Sequence, residues 1–138
     1  MKSFIKFFLV SIAFAGLAVS DSISFTIHIV GDSTVCNYNE KAYPQTGWGQ
    51  VIGYFFDGAS FFVNNAASGG RSSRTFIEEG RLDAVINAAS AGDYLFVQFG
   101  HNDRDYSKPA RYVEPAQFPG YIQQYIDAGK KKGMHVVL

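Results

Sequence analysis

The apolar residues of this chain change period several times along its length. Between Ser24 and Val30 they alternate, with Phe25, Ile27 and Ile29 separated by Thr26 and His28, and the β-branched and aromatic content predicts a strand. Trp48, Val51, Ile52 and Phe55 then fall at i, i+3, i+4 and i+7, the spacing of one helical face. Ser60 to Asn64 predicts a second short strand. Within Arg74 to Ala89, the set Phe76, Ile77, Leu82, Val85 and Ile86 predicts helical turns interrupted near Gly80. Tyr94 to Phe99 is almost wholly apolar, which predicts a third strand buried on both faces. Phe118, Tyr121, Ile122, Tyr125, Ile126 and Gly129 return to helical spacing. Lys130 to Lys132 suit the negative end of that helix, and Gly133 suits its C′ position. The closing run from Met134 to Leu138 predicts a fourth strand. The order β-α-β-α-β-α-β argues for an α/β domain with a parallel sheet and right-handed crossovers. No internal repeat, low-complexity tract, linker or Asn-x-Ser/Thr acceptor interrupts it.

The first twenty residues stand outside this pattern. Lys2 and Lys6 precede an apolar stretch from Phe7 to Val19, short for a membrane span, and Ala18 and Ser20 supply small residues at −3 and −1 of a cleavage site before Asp21. Residues 1–20 are therefore expected to be a secretory signal peptide, with an uncleaved anchor as the alternative, and residues 21–138 the domain. A secreted, extracellular protein follows, with no membrane association once the signal is removed. Export gives Cys36 two readings: a thiol whose partner lies outside this chain, or a buried free cysteine acting as a small apolar residue. The last apolar run ends without turn, cap or polar tail, so the domain is expected to continue past Leu138.

Composition narrows the class. A chain of 138 residues has room for one ordinary domain, and with 16% aromatic and 17% charged residues it is no candidate for disorder. Twelve basic residues against twelve acidic leave no basic footprint for nucleic acid, and the single run Lys130 to Lys132 reads as a solvated helix end. A lone cysteine builds neither a disulfide framework nor a cysteine-based zinc site, and no cofactor is expected.

In open α/β sheets the ligand site lies beyond the carboxyl ends of the strands. Strand one runs into Gly31-Asp32-Ser33-Thr34, strand two into Asn64 to Ser72, and strand three into Gly100-His101-Asn102-Asp103. Each has a plain reading, as turn chemistry, as a loop leading to a serine N-cap, or as a polar turn. Three such segments after three successive strands also fit acyl transfer, which needs a nucleophile and donors aimed at a developing oxyanion. Ser33 is the candidate nucleophile. The N–H groups of Ser33 and Gly70 and the side-chain amide of Asn102 are the candidate donors, the last because an amide donates without carrying charge.

This constellation resembles the GDSL, or SGNH, hydrolase superfamily, and most closely its rhamnogalacturonan acetylesterase-like carbohydrate esterases. The resemblance rests on Ile29 to Thr34, Gly47-Trp48-Gly49, Asn64 to Arg74, Glu79-Gly80-Arg81 and Gly92 to Asp103. It implies a flavodoxin-like, three-layer α/β/α sandwich, present here without its C-terminal part. It also implies removal of acetyl groups from plant cell-wall pectin without a metal, by a monomer whose partner is a polysaccharide.

The resemblance further implies an Asp-x-x-His segment supplying the base, and none occurs in this sequence. His28 and His135 read as strand residues. His101 either stands in as the base, positions the third loop or contacts substrate, and it is carried as a substrate-binding residue. Asp32 reads as a turn-stabilising acceptor. Arg71 and Arg74 either contact anionic galacturonate, with Arg71 carried as substrate-binding, or lie on the helix surface. Trp48 reads as core. The fragment by itself is expected to be inactive. The competing readings are a non-catalytic carbohydrate-binding relative and an esterase or lipase acting on another acyl ester. A flavodoxin-type phosphate binder fares worse, because Asp32 puts a carboxylate where phosphate would sit.

Overall fold

This computed structural model describes residues 24–56 and 61–138. The expected signal peptide and the expected strand start at Ser60 lie outside those residues. Four strands, β1 (Phe25–Gly31), β2 (Phe61–Asn65), β3 (Tyr94–Gln98) and β4 (His135–Val137), form one sheet. Their order is β2-β1-β3-β4 and every pair is parallel, with Ile29 opposite both Asn65 and Phe96. The chain thus winds outward from β1 in both directions, and the β1/β3 junction is the point where the winding reverses.

The connecting helices are α1 (Trp48–Val51), α2 (Ser73–Glu78), α3 (Arg81–Ala88) and α4 (Phe118–Lys132). Because strand side chains alternate, consecutive residues of β1 serve opposite layers. Val30 joins Leu95 and Val97 beneath Phe76, Leu82, Val85 and Tyr125, the inner faces of α2, α3 and α4. Ile27 and Ile29 join Val35 on the other face, where Trp48 and Ile52 pack against them. Helical segments therefore flank the sheet on both sides, as the α/β/α expectation requires.

The two layers are unequal. The predicted helix over Trp48 to Phe55 is one turn of α-helix continued by a 3₁₀ turn, Ile52–Phe55, and Phe55 is exposed. A segment this short covers only part of its side of the sheet. Tyr94 and Phe96 are consequently only half-buried, whereas Leu95 and Val97 on the opposite face are buried. The expectation that β3 is buried on both faces holds for the α2–α4 side alone.

Other local expectations are met where backbone chemistry dictates them. The helical stretch breaks between α2 and α3 at Gly80, and α4 ends at Gly133, whose φ of +82° is the left-handed conformation of a C-terminal stop. Cys36 is buried, in keeping with its reading as a small apolar residue. His28 is buried within β1, its ring between Asp93 Oδ2 at 3.2 Å and Asn64 at 3.0 Å. His135 is an exposed residue of β4 lying against the ring of Tyr94.

Candidate active site

The site lies at the carboxyl edge of β1 and β3. Beyond Gly31 the chain turns because Asp32 supplies acceptors for it. Its Oδ1 takes the N–H of Thr34 at 2.8 Å and the Thr34 hydroxyl at 2.9 Å, while its carbonyl takes the N–H groups of Val35 and Cys36. Asp32 is thereby the turn-stabilising acceptor expected, and it leaves Ser33 half-buried at the apex. Tyr38 braces the turn by donating its hydroxyl to the Ser33 carbonyl at 2.7 Å. Burial, followed by the neighbouring Cys36, pushes the Tyr38 phenol above its ordinary value, so it stays a donor.

The turn is held from behind by close contacts. A Cβ at Gly47 would meet the Cys36 carbonyl oxygen, and one at Gly49 would sit 2.7 Å from the Val35 carbonyl oxygen and from the Asn65 amide. Gly47 and Gly49 thus permit the α1 turn to lie directly on the backbone that follows Ser33. Trp48 between them donates its ring N–H to Gln98 Oε1, and Gln98 donates from Nε2 to the Thr34 hydroxyl at 2.7 Å. Half-buried Trp48 is core on one side and a positioning contact on the other.

The second loop is stitched to the first by the amide of Ser68, which donates to the Gly31 carbonyl at 2.9 Å, and by Asn65. The Asn65 side chain donates to the Val35 carbonyl at 2.9 Å and to Asn37 Oδ1 at 2.8 Å. Gly69 lies over the apex, since a Cβ built there would be 3.7 Å from Ser33 Cβ. Gly70 follows in a left-handed conformation, φ +79°. Ser72 then caps α2 through a reciprocal box with Thr75, so the serine N-cap reading of this loop holds.

The third loop turns on Asp103, whose Oδ2 accepts the Gly100 N–H at 3.0 Å. Its Oδ1 accepts both the N–H of Ser73 at 2.9 Å and the Ser73 hydroxyl at 2.5 Å, fastening this loop to the start of α2. Asn102 is buried, and its Nδ2 donates to the carbonyl of Arg71, the residue after Gly70, at 2.8 Å. One N–H of that amide is left over. Among the described residues, Ser33 Oγ and the backbone N–H groups of Ser33 and Gly70 likewise have no intramolecular partner. A hydroxyl and several unspent donors therefore share one edge of the sheet.

The arginines and His101 divide differently. Arg71 donates from Nε to Glu79 Oε2 at 3.1 Å and from Nη1 to the Gly69 carbonyl at 2.8 Å. Arg81 first and Arg71 second hold the Glu79 carboxyl below its ordinary value. Arg74 pairs with Glu78 and donates from Nη2 to the carbonyls of Pro109, Ala110 and Tyr112, which makes it a clamp on the loop before α4. His101 is exposed and lines a cavity of about 320 Å³ with Arg104, Asp105, Tyr106 and Arg111.

Sequence reasoning passed over Asn65, Gln98, Asp103 and Arg111. Asp103 had a local signal, an Asp three residues after a turn glycine. Asn65 accepts the nearby Ala67 N–H, but the groups to which it donates and the partners of Gln98 lie 28 to 64 residues away, and no spacing rule reveals them.

Residues 27–137 match the family described as GDSL-like lipase/acylhydrolase. A probable rhamnogalacturonan acetylesterase of Bacillus subtilis is 46% identical over 113 residues, which span 81% of this chain and 51% of that protein. A rhamnogalacturonan acetylesterase of Emericella nidulans is 40% identical over 94 residues, spanning 67% of this chain and 35% of the relative. The chain thus spans about half the length, or less, of the curated relatives it matches. Among solved structures, the YxiM protein of Bacillus subtilis superposes with a TM-score of 0.73 at 37% identity, over 82% of this chain and 31% of that one. An acetyl xylan esterase from Geobacillus stearothermophilus superposes at 0.58 with 15% identity, over 83% and 60% of the two chains, a likeness of fold alone. On the length of the family match and the shared sheet architecture, the chain belongs to the GDSL-like lipase/acylhydrolase family.

Proposed function

We propose that the protein is a secreted serine esterase that removes acetyl groups from rhamnogalacturonan. The observation that carries this reading is a Ser33 Oγ without an intramolecular partner among the described residues, at the same edge of the sheet as the unspent N–H groups of Ser33 and Gly70 and the Asn102 amide. That these elements occur in a chain whose relatives are named rhamnogalacturonan acetylesterases supports the substrate.

The chemistry is two acyl transfers. Ser33 Oγ attacks the acetyl carbonyl carbon and gives its proton to a base, and the carbonyl oxygen becomes the oxyanion that the three donors receive. Collapse breaks the bond to the sugar oxygen, which leaves with the proton returned by the base, and the acetyl group remains on Ser33. Water, deprotonated by the same base, attacks the acyl-enzyme, and acetate departs as Ser33 regains its proton. The base is not among the contacts of Ser33. His28 is committed to Asp93 and Asn64, His135 belongs to β4, and His101 makes no hydrogen bond to Ser33 among the described residues. We assign the base to an Asp-x-x-His segment of the full-length protein outside residues 1–138.

Acetate release by the full-length protein from acetylated rhamnogalacturonan, acetylated xylan and a short-chain lipid ester tests the substrate. The reading predicts the highest kcat/KM on rhamnogalacturonan. Equal or better turnover of the lipid ester overturns it, and no turnover of any of them favours a carbohydrate-binding relative.

A further inference from the structure

The cavity beside the third loop has the charge and shape of an anion site. Arg104 and Arg111 line it, and Asp105 is the one carboxylate on its wall. Asp105 already receives Arg111 Nη2 at 2.9 Å and the Ser107 hydroxyl at 2.5 Å. The Ser107 hydrogen bond first, and then Arg111, hold its carboxyl down to about 2, so Asp105 stays ionised and balances one guanidinium at any ordinary pH. Arg104 makes no ion pair among the described residues, which leaves one positive charge in excess.

Two details aim this charge at a ligand beside the oxyanion donors. Arg111 Nη1 lies 3.7 Å from where a Cβ on Gly70 would stand, so its guanidinium borders the glycine whose N–H is unspent. Arg111 Nε is buried and has no hydrogen-bond partner, the one such side-chain atom among the described residues. A buried donor left unpaired is unfavourable, and that cost is relieved when an acceptor enters. Tyr106, 82% exposed, also lines the cavity and offers a face on which a sugar ring can lie, and His101 lines it too. At about 320 Å³ the cavity is near the lower bound of ligand pockets, about 300–1,000 Å³, enough for a single sugar residue.

We propose that this cavity is a uronate subsite, in which Arg104 and Arg111 bind the carboxylate of a galacturonate unit of the polysaccharide chain while Tyr106 and His101 contact its ring. This rests on the esterase reading for its orientation toward Ser33, although carboxylate binding itself does not. It also reassigns the acidic-sugar contact expected of Arg71 and Arg74, whose guanidinia are taken up by Glu79, Glu78 and backbone carbonyls.

The test is calorimetric binding to the full-length protein carrying Ser33→Ala. The probes are an unacetylated rhamnogalacturonan oligosaccharide and the same oligosaccharide with its uronates reduced to neutral sugars. The subsite predicts tighter binding of the acidic form and about a tenfold rise in its Kd on Arg104→Ala. It predicts at least that rise on Arg111→Gln, and no change from either variant for the reduced form. Arg104 is exposed, so its truncation leaves folding intact even where the Arg111 variant does not. Equal affinity for both sugars, no binding of either, or an unchanged Kd in Arg104→Ala overturns the subsite. Failure of the esterase reading shows separately, as the predicted binding pattern with no acetate released by the unmutated protein.

Discussion

Asp103 and Ser73, thirty residues apart in sequence, are joined by two hydrogen bonds through a single carboxylate oxygen, from the amide and from the hydroxyl of the serine. This buried link makes the third loop and the start of α2 one unit. Since Asn102 donates to the Arg71 carbonyl from the same loop, the link also sets where the Asn102 amide lies relative to Gly70. Tyr125 of α4 reinforces the unit by donating its hydroxyl to the Ser73 carbonyl at 2.7 Å.

Removing that carboxylate leaves the N–H groups of Ser73 and Gly100 unsatisfied. Asp103→Ala is therefore expected to lower the unfolding free energy of the full-length protein by about 3 kcal/mol or more, given about 1–3 kcal/mol for each buried group left unpaired. Asp103→Asn keeps the shape and one acceptor oxygen, and is expected to cost less. Urea unfolding of the variants checks both.

The backbone contact beneath the Ser33 turn predicts a sharper steric effect. A methyl group at Gly47 has no room against the Cys36 carbonyl, which is backbone and cannot swing aside. Gly47→Ala is expected to destabilise by about 1–3 kcal/mol, the usual range for forced overpacking, and to lower kcat by moving the serine. Gly120→Ala on α4, where a Cβ meets nothing within 4 Å, is the control expected to leave kcat unchanged and to hold or slightly raise stability.

Gln98 offers a test of positioning without large loss of stability. It is exposed, and it holds Thr34 and Trp48 with one side-chain amide. Gln98→Ala is expected to lower kcat about tenfold with KM for the polysaccharide little changed, because displacing reacting groups by a fraction of an ångström is felt in the chemical step. Gln98→Glu, which retains the acceptor for Trp48 but loses the donor to Thr34, is expected to fall between the two.

At the opposite edge of the sheet, Asp93 carries the acid sensitivity. Burial by itself raises its carboxyl. The N–H groups of Ser90 and Thr26, with His28, outweigh this and hold the carboxyl below its ordinary value. A carboxyl lowered in the folded state contributes its stability above the unfolded value, and that contribution is lost as pH falls through the folded one. The Tm gap between the wild-type protein and Asp93→Asn is therefore expected to be full at pH 6–7 and to narrow below about pH 4, where unfolded aspartate begins to protonate.

Much of this was legible in the sequence because it follows from local rules. Alternation in Phe25 to Ile29, helical spacing from Phe118 to Gly129 and the stop at Gly133 depend on neighbours a few residues apart, and those elements stand where the pattern puts them. The segment after Trp48 departs because a stripe of apolar residues does not say how much sheet there is to cover, and one turn of α-helix leaves Phe55 in solvent. That Ser33, Gly70 and Asn102 lie in loops at one edge of the sheet was legible because each loop follows a strand whose end is predictable. The approach of Arg111 to Gly70 was not, since it is made across the fold and nothing in the residues around Arg111 signals that contact.

The central claim, that Ser33 is the nucleophile of an acetylesterase, is tested most directly by acetate release from acetylated rhamnogalacturonan by the full-length protein and its Ser33→Ala variant. The expected result is a fall in kcat of about 10⁴-fold or more, in line with loss of a nucleophile that acts as a unit with its base, and an unchanged Tm. Turnover by Ser33→Ala within tenfold of the unmutated protein contradicts it.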